Sequence, residues 1–129
     1  MKEKNEILVI LRNLALDRTA VTLMREDLVH ISEDSKKELP AVQQEALEKE
    51  RVQLQSCLTA TEHRISRVER LLALLSSEER EVLDRMLINP CPGVVFDLAE
   101  ELGCETSRIY RIRARALSKL IRLRYGAGE

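Results

Sequence analysis

The sequence is poor in aromatic residues. Its 129 positions hold no tryptophan, one phenylalanine (Phe96) and two tyrosines (Tyr110 and Tyr125). Runs of β-branched residues are also scarce. Together these absences exclude a β-sandwich or β-barrel, which need such residues on pleated surfaces. They also exclude single-strand nucleic-acid modules that stack bases on aromatic platforms. Cysteine is limited to Cys57, Cys91 and Cys104, an odd number with no C-x-x-C spacing. No disulfide framework is expected, and the composition suits a reduced, cytoplasmic protein. The two histidines, His30 and His63, lie far apart in sequence, so no zinc site is expected. There is no glycine-rich phosphate loop, no H-E-x-x-H and no Cys/His pair within reach on one element, so neither an enzyme nor a cofactor is expected. The start of the chain, Met1-Lys2-Glu3-Lys4-Asn5-Glu6, is charged in both signs, and Arg12 breaks the apolar run behind it. That stretch reads as neither a signal peptide nor a membrane span.

What the chain does have is charge and apolar residues in helical spacing. Charged residues make up 33% and apolar residues 44%, enough for a packed core. The length suits one domain, or one small domain with an extension. The net charge of −1 argues against a nucleic-acid partner only if the charge is evenly spread, and it is not.

Residues 7–31 carry a heptad pattern. Ile7, Leu14, Val21 and Leu28 occupy one seam position, and Ile10, Met24 and Ile31 the other, with Asp17 as a polar intruder. Alternating spacings of three and four keep such residues on one side of a helix. Residues 32–40 read as a turn, with Pro40 suited to the first position of the next helix. The second segment runs to Leu75. Its seam is Leu47, Leu54, Thr61, Val68 and Leu75, interleaved with Leu58, Ile65 and Leu72, and Arg51 is its one misfit. A repeat this regular predicts a helix packed along its length against another. The first helix folded back antiparallel and a second copy of the chain are both allowed partners. The expected fold is therefore all-α. Residues 1–75 form a coiled-coil-like antiparallel hairpin of long helices that serves oligomerisation or partner binding, and residues 76–129 form a separate unit.

From Ser76 the character changes. Ser76-Ser77-Glu78-Glu79 fits a capping box that opens a helix bearing Val82, Leu83, Met86 and Leu87 on one face. Asn89-Pro90-Cys91-Pro92-Gly93 must end it. A short helix follows, with Val95, Leu98, Ala99 and Leu102 at i, i+3, i+4 and i+7, and Gly103 supplies the next turn. The last helix is expected from Thr106 to Tyr125, with Ile109, Ile112, Ala116, Leu120 and Leu123 inward. Two short apolar-faced helices joined by a glycine-containing turn describe a helix-turn-helix unit. Cys91 and Cys104, on either side of the short helix, are expected to pack as small apolar residues.

Charge follows the same boundary. Residues 76–105 hold two basic and eight acidic residues, whereas residues 106–125 hold seven basic residues and no acidic one. The last helix thus carries +7 and the remainder of the chain −8. Phosphate affinity depends on where cations sit rather than on their sum. With the apolar stripe inward, Ser107, Arg111, Ala114 and Ser118 point outward at 100° per residue. A recognition helix reads base edges from its N-terminal part. Thr106, Ser107, Tyr110 and Arg111 are therefore the base-reading candidates, and the planar fork of Arg111 suits guanine. Arg108, Arg115, Lys119 and Arg122 fall to one side as phosphate clamps. Arg113 points back toward the core, where an ion pair with Glu100 or Glu101 is expected.

These residues also carry a resemblance. Leu75-Ser-Ser-Glu-Glu-Arg-Glu-Val-Leu83, then Asp97-Leu-Ala-Glu-Glu-Leu-Gly103, then Arg108-Ile-Tyr-Arg-Ile-Arg-Ala-Arg-Ala-Leu-Ser-Lys-Leu120 resemble region 4 of bacterial sigma factors and the ArpU-type late-gene regulators of phages. The likeness covers about fifty residues. It implies that Thr106, Ser107, Tyr110 and Arg111 occupy the places where that family touches promoter bases, and that Arg108 and Arg115 lie near phosphate. Glu105 stands where the family carries a capping Ser or Thr, so Thr106 is expected as a shifted cap. Nothing upstream resembles sigma region 2. The implied protein is a small phage- or prophage-type transcription regulator rather than a stand-alone sigma factor. Its expected partners are double-stranded DNA, a second copy through the N-terminal helices, and RNA polymerase. A small-terminase-like DNA-packaging protein and a helical adaptor that binds no DNA are the alternatives.

Overall fold

The computed structural model describes residues 2–126, and all regular secondary structure among them is helical. The elements are α1 (Lys2–Ser35), α2 (Ala41–Leu72), α3 (Ser77–Leu83), a single π-helical turn (Asp84–Ile88), α4 (Val94–Leu102) and α5 (Thr106–Tyr125). No described helix is long and apolar enough to cross a membrane. α1 exceeds its expected limits, whereas α2 stops three residues short of Leu75. α1 starts at Lys2 and continues through Ser35, four residues into the expected turn. Helix-compatible polar residues at both ends let the backbone ladder continue beyond the apolar pattern. Pro40 sits just before α2 rather than inside it, and its carbonyl accepts from the N–H groups of Gln43 and Gln44 at 3.0 and 3.1 Å. α2 ends at Leu72, where Leu74 and Leu75 close tighter turns onto Leu71 and Leu72.

The chain divides into two compact units, one comprising Leu16–Ser66 and the other Met1–Ala15 with Arg67–Glu129. In the first, Val21, Ile31, Leu58 and Thr61 are buried, all of them expected seam positions. The polar intruder at Asp17 is matched by Arg64, which donates to its carboxylate at 3.2 and 3.3 Å. Arg25 makes a second pair with Glu62 at 2.5 Å. The buried Thr61 hydroxyl donates to the Cys57 carbonyl at 2.8 Å, so it leaves no unsatisfied group. Arg51 is exposed and pairs with Glu48 on its own helix, which removes it from the seam as its charge requires.

In the other unit, α3, α4 and α5 share a core of Val82, Leu98, Ala99, Ile109 and Ile112. Met86, Val94, Val95 and Cys104 pack against it. Ile7, Leu11 and Leu14 are buried as well, and Ile7, Ile10, Leu11, Val68, Leu71, Leu72 and Leu120 line one small apolar cavity. The π turn closes where Asn89 N–H donates to the Asp84 carbonyl at 2.7 Å, five residues back. Pro90 and Pro92 then prevent the helix from resuming. Two expected core residues are not in it: Leu102 and Leu123 are 38% and 46% exposed. Both lie at helix C-termini, where the neighbouring helices no longer provide cover. Leu117, off the expected stripe, is buried instead. Cys91 is exposed, so only Cys104 packs as expected.

The link from α4 to α5 is a Schellman closure. Cys104 N–H donates to the Ala99 carbonyl at 2.9 Å, and Gly103 N–H to that of Glu100 at 3.2 Å. Gly103 takes φ +65°, and a Cβ there would meet nothing within 4 Å. The requirement is therefore conformational and not steric. Gly103→Ala is expected to lower unfolding stability by about 1 kcal/mol. Leu98→Ala, at a fully buried site, is expected to cost about 3 kcal/mol. Urea denaturation of both variants checks this ranking.

Candidate nucleic-acid interface

α5 spans the twenty residues Thr106–Tyr125, the limits that the sequence pattern predicts. Ile109, Ile112, Ala116, Leu117 and Leu120 are buried and anchor it. Ser107, Arg111, Ala114 and Ser118 are exposed along the opposite side, as is Tyr110 at 52%. Thr106 is half-buried. Three of the four base-reading candidates therefore lie open at the N-terminal part of the helix. Among the described residues no ion pair engages Arg111.

The cap differs from expectation. Thr106 is the first helical residue, and Glu105 takes the extended N-cap conformation with no side-chain cap bond. A helical Thr106 cannot serve as the N-cap, because that position needs extended backbone to aim its side chain at the following N–H groups. The helix N-terminus keeps backbone N–H groups free of a side-chain acceptor.

The cationic flank is not bare. Arg108 Nη2 donates to Glu78 Oε1 at 3.3 Å. Arg115 Nε donates to Glu79 Oε2 at 3.1 Å, and its Nη2 stands 3.9 Å from Glu78 Oε1. Lys119 Nζ donates to Glu79 Oε1 at 2.9 Å. Three of the four expected phosphate clamps thus already face carboxylates from the first turn of α3. Their side chains remain about half exposed, at 53%, 58% and 49%, so donors are left facing solvent. Arg122, the fourth, is exposed and makes no ion pair among the described residues.

Glu79 is the centre of this arrangement, with only 1% of its side chain exposed. The expected capping box is present: Ser76 Oγ accepts from Glu79 N–H at 3.1 Å, and Glu79 Oε1 accepts from Ser76 N–H at 2.9 Å. Burial pushes the carboxyl's pKa up, but the bonds from Ser76, Lys119 and Arg115 outweigh it and hold the value at about 2. One carboxylate therefore starts α3 and clamps α5 against it. Sequence pattern identifies the first role. It misses the second, because the partners lie 36 and 40 residues away and nothing local marks them.

Arg113 departs from expectation too. Glu101 pairs with Arg85, and Glu100 makes no ion pair among the described residues. The Nε of Arg113 is buried without a hydrogen-bond partner. Arg85 reaches Glu101 from the π turn and leaves Arg113 without that partner. At the far end of α5, the Tyr125 hydroxyl donates to the Glu6 carboxylate, and Arg124 lies 5.6 Å from the centre of the Tyr125 ring. No group of His, Cys, Asp and Glu among the described residues is placed to hold a metal ion.

A carboxyl held near pKa 2 stabilises the folded state above about pH 5, and its contribution is lost as pH falls from there through about 2. Discounted for the exposure of its cationic partners, that contribution is about 2 kcal/mol. Glu79→Gln keeps a side chain compatible with the capping box but removes the charge. The variant is expected to be less stable by about 2 kcal/mol at pH 7 and to show a flatter stability curve between pH 5 and 2. Urea denaturation across that range measures both.

No protein-family model, curated protein or solved structure matches this chain.

Proposed function

We propose that this chain is a sequence-specific double-stranded DNA-binding regulator of transcription, of the phage or prophage type. In this reading α4 and α5 act as a helix-turn-helix and α5 enters the major groove. The observation that carries the proposal is the state of α5. All seven of its charges are positive, its outward stripe of Ser107, Arg111, Ala114 and Ser118 is open, and its apolar side is spent on the core. A helix that only filled a bundle has no need to concentrate +7 in twenty residues while the rest of the chain holds −8.

Roles follow from position. Ser107, Tyr110 and Arg111 reach base edges, with Thr106 beside them at the helix start. The fork of Arg111 takes a guanine in bidentate fashion. Small Ala114 lets the helix approach closely. Arg122 contacts phosphate without first leaving an internal partner, and Arg108, Arg115 and Lys119 contribute the donors that Glu78 and Glu79 leave open. The long helices α1 and α2 form an antiparallel hairpin that joins two copies or touches RNA polymerase. Two joined copies would read half-sites separated by whole helical turns. The resemblance to sigma region 4 gives the same placement of base-reading residues.

Electrophoretic mobility shifts over a salt series test the proposal. Duplex DNA is expected to bind, with affinity falling steeply as salt rises. Arg111→Ala is expected to relax sequence preference at one base pair, at a cost of about 1–3 kcal/mol on the preferred sequence. Arg122→Ala is expected to weaken all sequences alike and reduce the salt slope by about 1. Absence of any shifted band with pooled duplex at low salt contradicts the reading.

A further inference from the structure

We propose, building on the DNA-binding reading above, that Glu78 restrains the phosphate affinity of α5 by occupying two of its cations. Its Oε1 is the shared acceptor, 3.3 Å from Arg108 Nη2 and 3.9 Å from Arg115 Nη2. These arginines lie seven residues apart, two turns along one flank of the helix. A guanidinium fork donates to a carboxylate and to a phosphate by the same geometry. Any duplex approaching this flank therefore competes with Glu78 for the same donors.

The two neighbouring acids divide the work by burial. Glu79 is sealed under Arg115 and Lys119 and bonded to Ser76, so it cannot be displaced without opening the α3–α5 contact. Glu78 takes no part in the capping box, and its side chain is 33% exposed. It can exchange its partners for solvent or for another anion. Arg111 and Arg122 bear no such competitor among the described residues. Glu78 thus lowers the charge available to any backbone while leaving Arg111, the base-reading candidate, unhindered. Binding then depends more on sequence than seven cations alone would allow.

Exposed ion pairs are individually weak, so the restraint is modest and reversible. Glu78→Gln is expected to tighten binding to a pool of random-sequence duplex DNA about three- to tenfold. It is also expected to steepen the salt slope by about one to two. A general repulsion between Glu78 and DNA would tighten binding as well, but it would act whether or not the arginines were present. A double-mutant cycle separates the two. In an Arg108→Gln background, which leaves the Arg115–Glu79 contact intact, adding Glu78→Gln is expected to change affinity by less than about twofold, because the nearer of the two cations is no longer there to release.

The experiment is fluorescence anisotropy of labelled pooled duplex with wild type, E78Q, R108Q and the E78Q/R108Q double variant, each at several salt concentrations. Glu78→Ala serves in place of E78Q if thermal melting shows the glutamine variant unfolded. Wild-type binding with no gain from E78Q overturns the restraint and leaves the DNA reading standing. A gain of the same size in the R108Q background overturns it equally. No binding by wild type at low salt overturns the DNA reading and the restraint together.

Discussion

The buried carboxylate of Glu79 is the interaction on which the packing of α5 beside α3 depends. A single acid satisfies the backbone at the start of α3 and holds Arg115 and Lys119 on the flank of α5. Burying a charge is costly unless it is both paired and hydrogen-bonded, and here it is both. The apolar core of Val82, Leu98, Ala99, Ile109 and Ile112 supplies the bulk of the cohesion. That attraction is non-directional, whereas the carboxylate fixes which turn of α5 lies beside the first turn of α3. The Schellman closure at Gly103 sets how α5 leaves α4. Between them, these two contacts determine which side of α5 faces water.

That orientation gives the charge distribution its meaning. Seven cations on a helix that could roll would be a diffuse positive surface. On a helix pinned by Glu79 they divide into an outward set, a flank already answered by Glu78 and Glu79, and Arg113, whose Nε lies buried near the core. The acidic residues of α3 and α4 thus do more than offset charge in the sum. Two of them sit directly against the cations that a phosphate backbone would seek.

Much of this was legible in sequence because it rests on local rules. The capping box, the stop at Pro90 and Pro92, the glycine turn and the limits of α5 each follow from chemistry within a few residues. So does the heptad seam, whose Val21, Ile31, Leu58 and Thr61 are buried. What was not legible was non-local. The pairing of Asp17 with Arg64 turns an apparent defect of the seam into a contact, and it spans 47 residues. The second role of Glu79, the loss of Glu101 to Arg85 and the exposure of Leu102 and Leu123 likewise depend on which helix ends up beside which. The compact units cut across the helices themselves: residues 1–15 belong with residues 67–129, although α1 runs unbroken from Lys2 to Ser35. Periodicity reports that a face is buried and is silent about what buries it.

The central claim is that α5 reads duplex DNA by sequence. Iterative selection from a fully randomised duplex pool, followed by sequencing, tests it most directly. The account predicts a short enriched motif containing at least one strongly preferred guanine, and loss of that preference when the selection is repeated with Arg111→Ala. A bound pool no different from the input after several rounds would contradict it.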